Sequence, residues 1–138
     1  LFEVGAPGPP IPLRSGTGAN GSPGTREEIA RFHDFFGYRL DERAQWMPDH
    51  VSVLLEFMHF LSYREALTAE TSHACSLALA QADFLERHLL VWVPSIAPKL
   101  RDVEAPRYFV ALFELLRSFV ECDAIWLRKT ADHREVAA

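Results

Sequence analysis

The chain of 138 residues is one domain's worth of material. With 49% hydrophobic and 24% charged residues it has the make-up of a globular protein, which excludes global disorder. Its net charge of −5, from 19 acidic and 14 basic residues, excludes a nucleic-acid binder working through a basic face. Two cysteines, Cys75 and Cys122, make neither a disulfide framework nor a zinc site, and both read as small buried hydrophobes in a reduced, cytoplasmic setting. No run of 18 uncharged apolar residues occurs, and nothing at the start has the pattern of a signal peptide.

Residues 5–24 hold eleven Gly or Pro in 20 positions, so residues 1–24 are expected to be an extended arm or flexible loop ahead of a helical domain, 25–138. The first helix opens at Thr25, where Thr25 and Glu28 match a capping box. It presents Ile29, Phe32, Phe35 and Phe36 on one face and stops at Gly37. The second is predicted to start at Pro48, which puts Asp49 at its second position and His50 at its third. Val51, Val53, Leu54, Leu55, Phe57, Met58, Phe60 and Leu61 cover about 220° of its circumference and leave Asp49, Ser52, Glu56 and His59 on a narrow polar strip. A third helix spans roughly Ser72 to Val91, with Leu77, Phe84, His88 and Val91 on one stripe. A short helix runs from Pro94 to near Asp102, and a last one from Pro106 to Lys129 through Phe109, Phe113, Leu116, Val120 and Leu127. No segment alternates with period two, so the fold class is all-α, a bundle of about five helices.

Little in the residues names a chemistry. The run from Gly16 to Gly21 spells G-x-G-x-x-G, but it follows Pro-rich sequence rather than a strand, and Pro23-Gly24 separate it from the helix. Asn20-Gly21-Ser22 is a nominal glycosylation sequon. The six histidines form no H-x-x-x-H or E-x-x-H pair, so neither a metal nor another cofactor is expected. No nucleophile stands with a base and an orienting group, which argues against an enzyme. Two positions stand out. Asp49-His50 places a carboxylate and an imidazole at a helix start, where the bland reading is stabilisation of the dipole. Asp123 interrupts the apolar stripe of the last helix, where a carboxylate must cap a neighbouring helix or stay partly wet.

The segments Arg31-Phe32-His33-Asp34-Phe35-Phe36-Gly37 and Met47-Pro48-Asp49-His50 through Leu54-Leu55-Glu56-Phe57, followed by Phe84-Leu85-Glu86-Arg87-His88-Leu89 with Trp92 and Pro94, resemble the TorD/DmsD/NarJ family. These are dedicated chaperones of molybdenum enzymes. Leu1-Phe2-Glu3 and the Pro-rich arm are most similar to the branch serving type II dimethyl-sulfoxide-reductase-like enzymes. The resemblance implies a cytoplasmic chaperone that is not itself an enzyme. Such a protein binds the apo catalytic subunit or its twin-arginine signal peptide until bis-molybdopterin guanine dinucleotide is inserted. Asp49 and His50 match the family's functional pair, and Trp46, Glu56 and Asp123 are carried over as neighbours of a client-binding site. Trp46-Met47 stand where family members often have an acidic residue. Family members also have several helices ahead of the segment that begins here at Leu1, so dimerisation or helix exchange is expected to cover the core those helices would cover. The alternative is a generic helical protein-interaction domain in which Asp49 and His50 serve structure alone.

Overall fold

The computed structural model describes residues 11–15, 24–42 and 47–137, with side chains as far as residue 133. Five α-helices follow one another: α1 (Thr25–Phe36), α2 (Val51–Leu67), α3 (Thr71–Phe84), α4 (Ile96–Asp102) and α5 (Arg107–Ala137). The all-α expectation therefore holds, with no strand among the described residues. A π-helical turn, Leu85–Leu89, prolongs α3, and a 3₁₀ turn, Val93–Ser95, leads into α4. No helix among the described residues is long and apolar enough to cross a membrane. The glycine run at 16–21, the sequon at 20–22 and Trp46 all lie outside the described residues.

The start of α1 differs from expectation. Gly24 is its N-cap in a left-handed conformation (φ 93°), the Glu28 amide donates to the Gly24 carbonyl at 2.9 Å, and no side chain caps the helix. The Thr25–Glu28 box does not form, because Thr25 is already helical and the Glu28 carboxylate accepts from Arg87 at 2.9 Å. Gly37 ends the helix as its position predicts. At φ 69° it lets its own N–H reach Asp34 and that of Tyr38 reach His33. Ile29 is buried and Phe32 and Phe36 half-buried, but Phe35 is 82% exposed, since its position falls about 100° around the helix from Phe36.

Helix α2 begins at Val51, not Pro48. The backbone ahead of it is claimed by residues 13–15: Ser15 N–H donates to the Asp49 carbonyl (3.0 Å) and Val51 N–H to the Leu13 carbonyl (2.9 Å). His50 becomes the N-cap with extended backbone, and Asp49 lies outside the helix rather than at its second position. Of the Gly/Pro-rich arm, residues 11–15 are thus extended and docked, with Ile11 fully buried. Ser52, Glu56 and His59 form the exposed strip the periodicity predicts, opposite buried Val53, Leu54, Phe57, Met58 and Leu61.

The third element is not one α-helix. At Leu85–Leu89 the hydrogen bonding widens, and Leu90 N–H reaches back five residues to Leu85 at 2.9 Å. The wider turn rephases the chain, so Leu89 and Trp92 are buried while Val91, expected on the core stripe, is 53% exposed. The Trp92 indole N–H donates to the His88 carbonyl at 2.6 Å and closes this turn. Helix α5 continues past Lys129 to Ala137 and lies along α3 and α4 through Phe113, Val120, Ala124, Leu127 and Ala131. Neither cysteine is a buried hydrophobe as expected. Cys122 is exposed on the outer side of α5, and half-buried Cys75 reaches the Ala131 carbonyl with its Sγ at 3.5 Å.

An aromatic cluster joins the N-terminal half. Phe57 packs against His33 (4.7 Å between centroids), Tyr38 (5.3 Å) and Phe84 (4.7 Å), and Phe84 packs against His88 (4.8 Å). His33 Nε2 and both ring nitrogens of His88 are buried with no hydrogen-bond partner among the described residues. Burial pushes both imidazoles down, His33 to about 4. A base with a depressed folded pKa contributes stability above its unfolded value of 6.5 and loses it as pH falls. For His33 alone that loss is on the order of 3 kcal/mol between pH 6.5 and 4. Unfolding by denaturant across that window should show this acid limb, and His33→Leu should shrink it to the part that His88 contributes.

Candidate functional site

The sequence-predicted residues do not share one place. Asp49 is fully buried, and its Oδ1 accepts from Arg26 Nε at 3.2 Å, the arginine being 45% exposed. His50 caps α2, its Nδ1 accepting from the Ser52 amide at 3.3 Å and lying 2.8 Å from the Ser52 hydroxyl. Arg14 bridges to His50 through the backbone. This corner ties α1 to the start of α2 through one desolvated carboxylate and ties residues 13–15 to it through the backbone, and the arginine that the carboxylate holds is the chain's own. Glu56 lies further along α2, beside the Tyr38 hydroxyl. Burial first, and then that carboxylate, raise the tyrosine above its ordinary value.

Asp123 belongs to a different feature. A groove of about 590 Å³ lies beside α2 and α5, walled by Leu55, Met58, Phe119, Trp126 and Leu127, with His59, Ser62, Glu65, Gln81 and Asp123 as its polar groups. Gln81, 2% exposed, donates from Nε2 to Glu65 Oε2 at 2.7 Å and to the Leu77 carbonyl at 3.2 Å, which fixes the Glu65 carboxylate. Burial pushes the Asp123 carboxyl above its usual range, and the Glu65 charge pushes it further. Fifteen positions along α2, about 22 Å at the helical rise, separate His50 from Glu65. Among the described residues no group of histidines, cysteines and carboxylates could hold a metal ion.

The groove opens onto the outer side of α5. There Tyr108, Leu112, Leu115, Phe119 and Trp126 are exposed, each between 43% and 69%, with Cys122 among them. They recur at spacings of four and three, a second apolar stripe on a helix whose first stripe faces the core. Sequence reasoning missed this stripe together with Glu65 and Gln81. The spacing from Tyr108 to Trp126 carried the signal, but the core stripe alone already accounted for an amphipathic helix.

These features suit binding: an apolar groove lined in part by carboxylates, on a helical scaffold pinned by the ion pair of buried Asp49 with half-exposed Arg26. The chain belongs to the TorD/NarJ family, since the sequence model of the nitrate reductase delta subunit family matches residues 19–97. It is 36% identical over 123 residues to the perchlorate reductase assembly chaperone protein of Dechloromonas aromatica, covering 87% of this chain and 55% of that one. It is 32% identical over 122 residues to the selenate reductase assembly chaperone protein of Thauera selenatis, covering 85% and 63%. The chaperone protein TorD of Vibrio parahaemolyticus is 26% identical over 101 residues, covering 73% and 47%. The chain thus spans between about half and under two thirds of the length of these relatives. No solved structure gives a significant match.

Two outcomes follow from the site's electrostatics. Asp49→Ala should cost about 2 kcal/mol of unfolding free energy, because it removes a fully buried carboxylate that accepts a charge-assisted hydrogen bond from half-exposed Arg26. Asp123→Asn should do the reverse. A carboxyl raised by burial opposes folding once it is charged, so the variant should unfold at a higher temperature at pH 7, and the gain should vanish below about pH 4.

Proposed function

We propose that this chain is the client-binding domain of a cytoplasmic chaperone that assembles a molybdenum-cofactor-containing oxidoreductase. In this reading it holds the apo catalytic subunit, or its twin-arginine signal peptide, until bis-molybdopterin guanine dinucleotide is inserted. It does so by binding and catalyses nothing. The observation that carries the reading is the apolar surface running from the α2–α5 groove onto the outer stripe of α5. A row of exposed large apolar side chains on a small domain marks a surface for a partner. Family membership and the names of the relatives supply the kind of partner.

Within this reading the proposed site residues take distinct roles. Asp49 and His50 set the start of α2 and thereby the line of the groove wall, and Asp123 faces the client. Glu56, on α2, and Trp46 are proposed as neighbours of the client-binding site. Asp49 acts as a positioning residue, because it is wholly buried behind Arg26.

Isothermal calorimetry with twin-arginine signal peptides and a Lys-Lys control tests the proposal. Micromolar binding, roughly −8 kcal/mol, is expected for one such peptide and much weaker binding for its control. Asp49→Ala should weaken binding in proportion to its loss of fold, read from helicity in the same sample. Failure of the whole panel, together with failure to retain an unfolded apo catalytic subunit of a molybdoenzyme, would overturn the chaperone reading and favour a generic interaction domain.

A further inference from the structure

We infer that α5 pairs with α5 of a second copy of this chain, antiparallel, through its outer apolar stripe. The inference rests on the proposed function in one respect. The surface proposed there for a client is the one the second copy covers, so pairing and client binding exclude each other.

The stripe itself specifies the partner. Tyr108, Leu112, Leu115, Phe119, Cys122 and Trp126 follow one another at spacings of four, three, four, three and four. Leu112, Phe119 and Trp126 thus take one core position of a heptad and Tyr108, Leu115 and Cys122 the other, the pattern of a helix that pairs with a helix. All six are exposed, and no charged residue holds a stripe position between them. Among the described residues no other helix exposes more than two large apolar side chains, so the chain's own match to α5 is α5. The spacing also reads the same in reverse. A partner running the other way sets Tyr108 against Trp126, Leu112 against Cys122 and Leu115 against Phe119, and a twofold axis level with Arg117 repeats each contact. The stripe ends where this register ends. Its next position, Lys129, falls beyond the start of the partner's helix at Arg107, whereas a parallel pair would set Lys129 against Lys129. Ala111 and Ser118, small and exposed, flank the stripe and let the two backbones approach.

The area is sufficient. At roughly 200 Å² for a whole aromatic side chain, the exposed parts of Tyr108, Phe119 and Trp126 alone come to about 350 Å² per copy. With Leu112, Leu115 and Ile125 added, two copies offer on the order of 1,200 Å², where stable specific interfaces begin. Left bare, the same row exceeds the patch a small monomer ordinarily shows to water.

Sedimentation velocity on the full chain should show a monomer–dimer equilibrium at micromolar concentrations. Phe119→Ser, whose loss is felt twice in a twofold interface, should weaken pairing by roughly a hundredfold, and Tyr63→Ser, equally exposed on α2, by less than about twofold. Thermal unfolding should show both variants folded. With Cys75→Ser as background, mild oxidation should give a covalent dimer when Leu112→Cys is present beside Cys122, and none when either cysteine stands alone. Adding a twin-arginine signal peptide should convert dimer to monomer. A chain that stays monomeric up to millimolar concentration overturns the inference and leaves the stripe to a partner of different sequence. Pairing that survives Phe119→Ser overturns it, as does cross-linking through Cys122 alone, which would mean a parallel pair. A signal peptide bound by the intact dimer overturns the exclusion while the chaperone reading stands. If no client binds in the preceding experiment while pairing and cross-linking hold, the chaperone reading falls and the α5 pair remains.

Discussion

The ring of Phe57 is the point on which this domain closes. It touches His33 of α1, Tyr38 of the connection that follows and Phe84 at the end of α3, while its own helix carries the groove wall on another side. Edge-to-face contacts of this kind fix direction as well as distance, because the ring quadrupole penalises a flat sandwich. Arg64 adds a second tie from α2 to α1, donating to the Phe36 carbonyl at 2.7 Å and lying over the Phe60 ring. With α2 so held, Leu55, Met58 and Glu65 have little choice about where they stand.

A second constraint works from the other end of α2. The buried Asp49 carboxylate, the Arg26 guanidinium and the pairing of residues 13–15 with 49–51 set where the helix begins. Aromatic packing and ion pair belong to the same design problem, which is to hold an unusually apolar helix at both ends while leaving one side open. The packing around that side keeps it from collapsing onto itself.

Most of the architecture could be read from residue spacing. The polar strip Ser52–Glu56–His59, the stop at Gly37 and the core stripe of α5 all follow from 3.6-residue periodicity and glycine stereochemistry, which act locally. The departures arise where distant chain intervenes. Pro48 is a good first helical residue, yet α2 starts three residues later because Leu13 and Ser15 take the backbone groups at 49–51. Thr25 and Glu28 spell a capping box, yet Glu28 serves Arg87 from α3's extension. The site divides the same way. Asp123 was conspicuous as a charge on an apolar stripe, but its companions Glu65 and Gln81 sit on other helices in unremarkable sequence, and only packing brings them near it. The family resemblance pointed to Asp49 and His50, and the structure gives them a framing role that sequence position alone does not distinguish from a contacting one.

The π-turn at Leu85–Leu89 has a wider meaning for this helix pair. One additional residue per turn is a vernier: it sets the angular phase of everything after it against everything before it. Residues 71–84 are thereby free to suit α2 and α5, while 88–100 suit the 3₁₀ turn and α4, and neither half constrains the face the other shows. Variation that drifts one half of the element need not disturb the other, provided the count of residues between Phe84 and Leu90 is kept. Length across that short window, more than the identity of any side chain in it, is the quantity this scaffold has to conserve.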